Sequence, residues 1–311
     1  MKTAIGIDVG GTKCSVVLGC ESENKISVLD KRSFATADYP KPNQALEKIK
    51  THIDELVLGK EISSIGISCG GPLDSKRGTI LSPPNLPGWD NVMISEYFEN
   101  KFKVPTFLQN DADACALAEW RYGAGRGSKN FIFLTFGTGL GAGLILNGAL
   151  YTGAQNMAGE IGHWRMSDFG PVGYGKSGSL EGFCSGGGIA QLAKQRLLEM
   201  NQLGIPSPFE ESLSPKDVFY YASNGNPVCI KIIQDVATVF GKAISMVIDL
   251  LNPEIIVAGS IFSRHYDVLY PIVKRVVEKE TLSLSYDNCR ILASELSEEI
   301  GDIAALAVAI R

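Results

Sequence analysis

The sequence predicts an α/β protein of two similar lobes, and three patterns carry that prediction. Short Ile- and Val-rich runs alternate with segments of helical spacing, as in strands covered by helices. A strand–glycine turn–strand unit occurs twice, near residues 10 and 137, as a weak internal repeat. The last helical segment, about Glu299 to Ile310, is apolar on most faces. It is therefore expected to be buried, crossing back to pack on the first lobe.

The elements follow in order. Thr3 to Val9 and Cys14 to Leu18 read as strands joined through Gly10-Gly11, a hairpin signal. Leu46, Ile49, Ile53 and Leu56 fall at helical spacing within Gln44 to Leu58. Ile62 to Ser68 reads as a strand ending in the loop Cys69-Gly70-Gly71-Pro72. The run Ser82-Pro83-Pro84-Asn85-Leu86-Pro87-Gly88 is excluded from regular structure because proline lacks an amide donor. Val104 to Leu108 is a strand candidate, followed by a helix from Ala112 to Trp120 with Asn110 or Asp111 near its start. Phe131 to Phe136 and Gly143 to Leu146 are strands around Gly137-Thr138-Gly139-Leu140-Gly141, and Asn147-Gly148 is a hairpin turn. Glycine-rich loops are expected from Gly153 to Gly188. A helix from Val228 to Leu251 places Val236, Val239, Phe240, Ala243 and Val247 on its apolar face, and Glu254 to Val257 is a strand leading to Ala258-Gly259-Ser260.

Composition narrows the classes of function. The 311 residues are 45% hydrophobic and 20% charged, ordinary for a globular chain with a sizeable core. Net charge is 29 − 34 = −5 and no basic run occurs, so nucleic acid and membrane surfaces are not expected partners. The seven cysteines are odd in number and form no CxxC pair, which reads as reduced, mostly buried thiols in a cytoplasmic protein. The N-terminus is no signal peptide, and no apolar run is long enough for a membrane span.

The chemistry concentrates in loops. In Asp8-Val9-Gly10-Gly11-Thr12-Lys13, two glycines clear space and free amides for an anion, Thr12 brings a hydroxyl and Lys13 a cation. Asp8 at the strand end can hold a hydrated Mg²⁺ beside phosphates. A plain hairpin is the competing reading. Gly137, Gly139 and Ala142 also fit a dinucleotide fingerprint, but that motif must open a helix, and a hairpin follows here. Two glycine loops would instead clamp a triphosphate from both sides. Asp111, between a strand and a helix, can accept the proton of a sugar hydroxyl as it attacks a phosphoryl group, or it can simply cap the helix. Asn110 adds an amide able to bond a hydroxyl. Glu160, His163 and Glu181 can bind hydroxyls or a metal, or can be structural.

Seven pieces in order give a wider match. They are Asp8-x-Gly10-Gly11-Thr12-Lys13, Gly70-Gly71-Pro72-Leu73-Asp74, Pro84-Asn85-Leu86-Pro87-Gly88-Trp89, Asn110-Asp111-Ala112-x-Ala114, Gly137-Thr138-Gly139-Leu140-Gly141, Gly159-Glu160-Ile161-Gly162-His163 and Ala258-Gly259-Ser260. Together they resemble the ROK family of sugar kinases and repressors, within the hexokinase and actin-like ATPase superfamily. The resemblance implies an actin-like, ribonuclease H-like fold of two lobes with a central cleft. Residues 1–113 plus about 297–311 would form the small lobe and 114–296 the large one. It implies Asp111 as general base, with Gly71, Asn85, Asn110, Glu160, His163 and Glu181 around the sugar. Asp8, Gly10, Gly11, Thr12, Lys13, Gly137, Thr138 and Gly139 would hold ATP with Mg²⁺, and Gly259 would lie near the adenosine. The cleft would close on the sugar and exclude water. Glucose phosphorylated at O6 is the implied reaction, other hexoses and N-acetylhexosamines remain open, and a homodimer is implied.

One departure stands out. The family usually carries Cys-x-Cys-Gly-x-x-Gly-Cys-x-Glu after the histidine. Here Val172, Tyr174 and Ser179 stand where the cysteines would be, while Gly175, Gly178 and Glu181 follow the pattern. A structural zinc needs about four ligands, so no zinc is expected, and packing through Tyr174 and Phe183 is expected to hold the loop. Cys184 alone does not restore the site. Two other functions compete. A repressor would need an added helix-turn-helix, for which Asp8 at position eight leaves no expected room. A sugar sensor without catalysis would be expected to have lost Asp8, Asp111 or a glycine loop, and all are present.

Overall fold

The computed structural model describes residues 2–207, 209 and 213–310. Its first sheet has the strand order β3-β2-β1-β4-β7. These strands are β1 (Lys2–Val9), β2 (Lys13–Ser22), β3 (Lys25–Ala35), β4 (Ile65–Cys69) and β7 (Thr106–Asn110). β1 and β2 form the expected antiparallel hairpin, while β4 lies parallel to β1 and β7 parallel to β4. Between them come α1 (Pro42–Leu56), the short pair β5 (Leu73–Asp74) and β6 (Thr79–Ile80), and α2 (Ile94–Phe102). α3 (Asp111–Tyr122) follows β7 without a linker.

The period of two decides which way β1 points its side chains. Ile5, Ile7 and Val9 join Ile49 and Ile53 of α1, Ile65 and Ile67 of β4, and Phe98 of α2 in one apolar cluster. Ala4 faces the other way, with Val17, Leu306 and Ala309. Asp8 has the same parity as Ala4 and so ends the strand on the face that meets the C-terminal helix.

The rest of the chain runs β8 (Phe131–Leu134), β9 (Ala142–Leu146), β10 (Ala149–Tyr151), β11 (Val172–Gly173), β12 (Lys176–Ser177), α4 (Leu180–Phe183), α5 (Gly186–Gln202), α6 (Pro215–Ser223), α7 (Pro227–Leu251), β13 (Ile255–Ala258), α8 (Ile261–Arg264), α9 (Tyr266–Glu280), α10 (Ser283–Tyr286), β14 (Arg290–Ala293) and α11 (Ile300–Ala309). The second sheet has the order β10-β9-β8-β13-β14. α7 starts one residue before the expected helix because Pro227 suits its first turn and the Asn226 side chain accepts the Val228 and Cys229 amides. It stops at Asn252, in the left-handed conformation at φ 44°. Val236, Phe240, Ala243 and Val247 are buried as expected, whereas Val239 is only half-buried.

The expected loop from Gly153 to Gly188 is shorter than its glycines suggest. α5 already starts at Gly186, because Ser185 Oγ accepts the Gly188 amide at 3.0 Å and caps it. Two compact units result. One comprises Met1–Phe133, Gly143–Ala158 and Glu295–Arg311, the other Leu134–Ala142 and Gly159–Ser294. Among the described residues, no helix is long and apolar enough to cross a membrane.

α11 is buried on the first unit, as its apolar sequence requires. Leu306 and Ala309 sit against β1 and β2, and Arg121 Nη1 of α3 donates to the carbonyls of Ala307 and Ile310. The approach to β4 is so close that a methyl group on Gly66 would lie 2.3 Å from Ala305 O and 2.3 Å from Ala309 N. Both obstacles are backbone and cannot rotate away. Gly66→Ala is therefore expected to destabilise the protein by at least about 1–3 kcal/mol, the usual range for overpacking. Urea denaturation checks this, and an unchanged midpoint would contradict the close packing.

Candidate active site

Strand register brings the first unit's candidate residues together. Val9 pairs with Cys69, and Cys69 pairs with Asn110. The three parallel strands thus end side by side, and Gly10-Gly11, Gly70-Gly71 and Asp111 emerge together at their carboxyl ends. That end of a parallel sheet is where ligands are usually bound.

The first turn is tight and propped from beneath. The Gly10 amide donates to Lys13 O at 3.1 Å, and Thr36 Oγ1 donates to Gly10 O at 2.7 Å. Thr12 and Lys13 are exposed. Gly11 is required by proximity, since a methyl group there would lie 2.5 Å from the Asn85 carbonyl oxygen. This contact seats the proline-rich loop against the turn and brings Asn85 into the group. A side chain on Gly70 would come within 3.5 Å of Asn85 Nδ2 and 3.9 Å of Asp111 Oδ2, and one on Gly71 within 3.4 Å of Asn110 Nδ2. The absence of those side chains leaves room above Asn85, Asn110 and Asp111.

Capping and chemistry divide the atoms of Asn110 and Asp111. Asn110 is the N-cap of α3, and its Oδ1 accepts the Ala112 amide at 2.9 Å. Asp111 Oδ1 accepts the same amide at 2.8 Å, while Oδ2 is the oxygen on the Gly70 side. Oδ1 thus serves the start of the helix, as the capping reading of Asp111 requires, and Oδ2 is not engaged by that bond. Protein packed around the carboxyl pushes its pKa up from 3.8, and the Ala112 amide draws it back. The residue still opens to solvent on one side, which tempers that rise.

Asp8 is pushed up as well, to about 7. Burial is the main cause, followed by the charges of Asp111 and Asp302, and Lys31 and Lys13 oppose them. Asp302 is held by Lys31, whose Nζ lies 2.6 Å from its Oδ2. The neighbouring Cys69 and Cys115 thiols are raised well above 9.0 by burial and by the same carboxylates, so neither is a thiolate nucleophile.

The second unit gathers its own set. The Gly137 amide donates to Gly139 O at 3.1 Å, closing the second glycine turn, and Thr138 at its tip is exposed. The Gly186 amide donates to Gly137 O at 2.8 Å, and Gly259, just past β13, donates to Leu134 O at 3.0 Å. Ser260 lies so near that its Oγ would sit 3.2 Å from a methyl group on Gly137. Glu160 precedes a single 3₁₀ turn, Ile161–His163, and the Gly159 carbonyl before it accepts the Ala142 amide at 2.8 Å. Glu181, on α4, accepts the Leu140 amide through Oε2 at 3.1 Å. Glu181 is thereby tied to the glycine turn, a link of 41 residues that no spacing rule reveals.

The zinc position can be tested on its donors. Val172 offers no ligand atom. Ser179 is buried, with Oγ donating to Gly173 O at 3.3 Å and accepting the Gly182 amide at 3.1 Å. Tyr174 meets His163 ring to ring at 5.0 Å, and Cys184 turns its thiol to Val236 O at 3.6 Å. These residues do not fit a zinc ion. Among the described residues, no group of three or more His, Cys, Asp or Glu side chains is placed to hold a metal.

Within the first unit the structure brings together Asp8, Gly10 to Lys13, Gly71, Asn85, Asn110 and Asp111. Within the second, the Gly137–Gly139 turn meets Glu181 on one side and the Gly259-Ser260 turn on the other, and the turn from Glu160 to His163 lies beside Leu140 and Glu181. Sequence reasoning missed Thr36 beside the first turn, Asp302 and Lys31 beside Asp8, and Lys176 beside His163. Thr36 is a lone hydroxyl 26 residues from the carbonyl it supports, and nothing local marks it.

The fold defines a class first, that of two-lobed α/β proteins of the actin-like ATPase type, as the sequence predicts. The crystal structure of a ROK glucokinase from Streptomyces griseus with glucose and AMPPNP matches with a TM-score of 0.79 at 27% identity, covering 99% of both chains. A glucokinase of Halalkalibacterium halodurans is 30% identical over 308 residues, 96% of this chain and 92% of that one. A xylose repressor of Caldicellulosiruptor bescii is 28% identical, over 98% of this chain and 77% of its own length. The ROK family model matches residues 4–311, and the chain belongs to the ROK family.

Proposed function

We propose that this protein is an ATP-dependent hexose kinase that passes the γ-phosphoryl group to a sugar hydroxyl, O6 of glucose foremost. The observation that carries this is the convergence of the Gly10 turn, Asn85, Asn110 and the open oxygen of Asp111 at the ends of three parallel strands. Kinase-named relatives support it at the level of class.

Asn85 and Asn110 orient sugar hydroxyls from the first unit, and Glu160, His163 and Glu181 do so from the second. The two glycine turns offer backbone amides to phosphate oxygens, with Thr12, Lys13 and Thr138 beside them. Asp111 Oδ2 takes the proton from the attacking hydroxyl, and its raised pKa suits a base that must hold that proton. Asp8 is the carboxylate that would hold the hydrated Mg²⁺ arriving with ATP, which would supply charge neutralisation for the transferred phosphoryl group. The seven free cysteines support a reducing, cytoplasmic setting, and a homodimer is the assembly the family membership favours.

ADP release with Mg-ATP and a panel of glucose, fructose, mannose, allose, N-acetylglucosamine and N-acetylmannosamine tests the reading, each with and without a zinc chelator. Glucose-dependent release that ignores the chelator is the expected result. Sugar binding without turnover would instead favour a sensor.

A further inference from the structure

We propose that the hairpin β11–β12 is a metal-free clasp, with Tyr174 and Lys176 acting as positioning residues for His163. This rests on the reading of His163 as a sugar ligand. The argument begins with the turn at the hairpin's tip. Gly173 pairs with Lys176, leaving a two-residue loop of Tyr174 and Gly175. Their φ values are 45° and 75°. Two consecutive positive φ angles define a type I′ turn, whose first position favours Asn, Asp or Gly. A tyrosine there adopts a left-handed backbone that its Cβ disfavours. The side chain must therefore be offset by a contact, and the contact is with His163. The two rings meet edge to face, with centroids 5.0 Å apart and planes at 81°.

The next residue of the hairpin grips the same turn by its backbone. Lys176 Nζ donates to His163 O, and Lys176 is half-buried. His163 is thus held at its ring by Tyr174 and at its carbonyl by Lys176. The base of the hairpin is itself anchored. Gln191 of α5 accepts the Val172 amide through Oε1 and donates from Nε2 to Val172 O, both at 2.9 Å. Ser179, at the far end, caps α4 by accepting the Gly182 amide. α4 in turn carries Glu181, bound to the Leu140 amide. One continuous run of hydrogen bonds therefore links α5, the hairpin, the His163 turn and the Glu181 helix, at the place where thiolates are absent.

Tyr174→Asn separates the clasp from mere folding. Asparagine suits the I′ turn better than tyrosine, so the hairpin should persist while the ring contact is lost. Lys176→Met removes the second grip, and Tyr174→Phe keeps the ring. Two measurements are made on the intact protein. Backbone hydrogen exchange, read without ligand, should rise about tenfold over residues 161–164 in Tyr174→Asn and Lys176→Met but not in Tyr174→Phe. Glucose affinity by titration calorimetry should fall about tenfold in the first two and hold in the third, with the affinity for ATP unchanged in all. Unchanged exchange over 161–164 overturns the clasp. Faster exchange with unchanged glucose affinity overturns the positioning role. A wild-type protein that binds none of the panel sugars refutes the sugar-site reading before any variant is compared, and the positioning role with it.

Discussion

Asp111→Asn should leave a folded protein that binds sugar and hardly turns it over. The cap of α3 survives the change, because Asn110 Oδ1 already accepts the Ala112 amide and the new side chain keeps an oxygen for it. Sugar affinity should move only a few-fold, since an amide can still meet a hydroxyl. kcat should fall about 10²- to 10⁴-fold, the range that a general base contributes. An amide has no basic oxygen, so the hydroxyl must attack while still protonated. The wild-type kcat/KM profile should also fall on the acid side as Asp111 protonates, at a pH above the 3.8 of a free aspartate because burial raises it. That limb should vanish in the variant. Turnover within about threefold of wild type would remove Asp111 from its assigned role.

How much of this could be read from residues alone depends on the range of the forces involved. The β1–β2 hairpin, α3 and α11 were legible because their signals are local: a Gly-Gly break, a capping Asn110 and an unbroken apolar run. The positions of Asp8, Gly10 to Lys13 and Asp111 were legible because each lies at or just past the carboxyl end of a strand. The edge strand β3 was not, because Lys25–Ala35 is exposed along most of its length and lacks apolar alternation. α5 was not, because three glycines disguise a helix start that Ser185 caps. Links such as Thr36 to Gly10 and Glu181 to Leu140 are set by tertiary packing, and no periodicity encodes them. The clasp lies in the same category. The missing thiolates are visible in the sequence, but the contact that replaces them depends on a turn type and a ring orientation.

Asp8→Asn should move stability and activity in opposite directions. The wild-type carboxyl is raised to about 7 in the folded protein, against 3.8 for an unperturbed aspartate. A raised carboxyl favours the protonated form on folding. Its favourable contribution is complete below pH 3.8 and is lost as pH rises through about 7. Above that, Asp8 is a charge held beside Asp111 and Asp302 with only Lys31 and Lys13 to offset it. Asparagine carries no charge at any pH, so the ligand-free variant should exceed wild type in stability from about pH 4 upward and level off above pH 7. The gain should be on the order of 1–3 kcal/mol, reduced from the full shift because Asp8 retains some solvent contact. Urea denaturation at pH 4 and pH 8 reads it directly. Mg-ATP should reverse the ranking, stabilising wild type far more than the variant, because a cation at Asp8 relieves the same repulsion. kcat/KM for Mg-ATP should fall about 10²-fold in the variant, as when one preorganised charge-stabilising group is removed. A variant that loses activity without gaining stability at pH 8 would show that Asp8 is not strained in the free protein. One that gains stability and keeps activity would show that the carboxylate serves no cation. Either result would separate two properties that the proposal joins in one residue: a charge crowded by its own neighbours and a carboxylate that receives a cation.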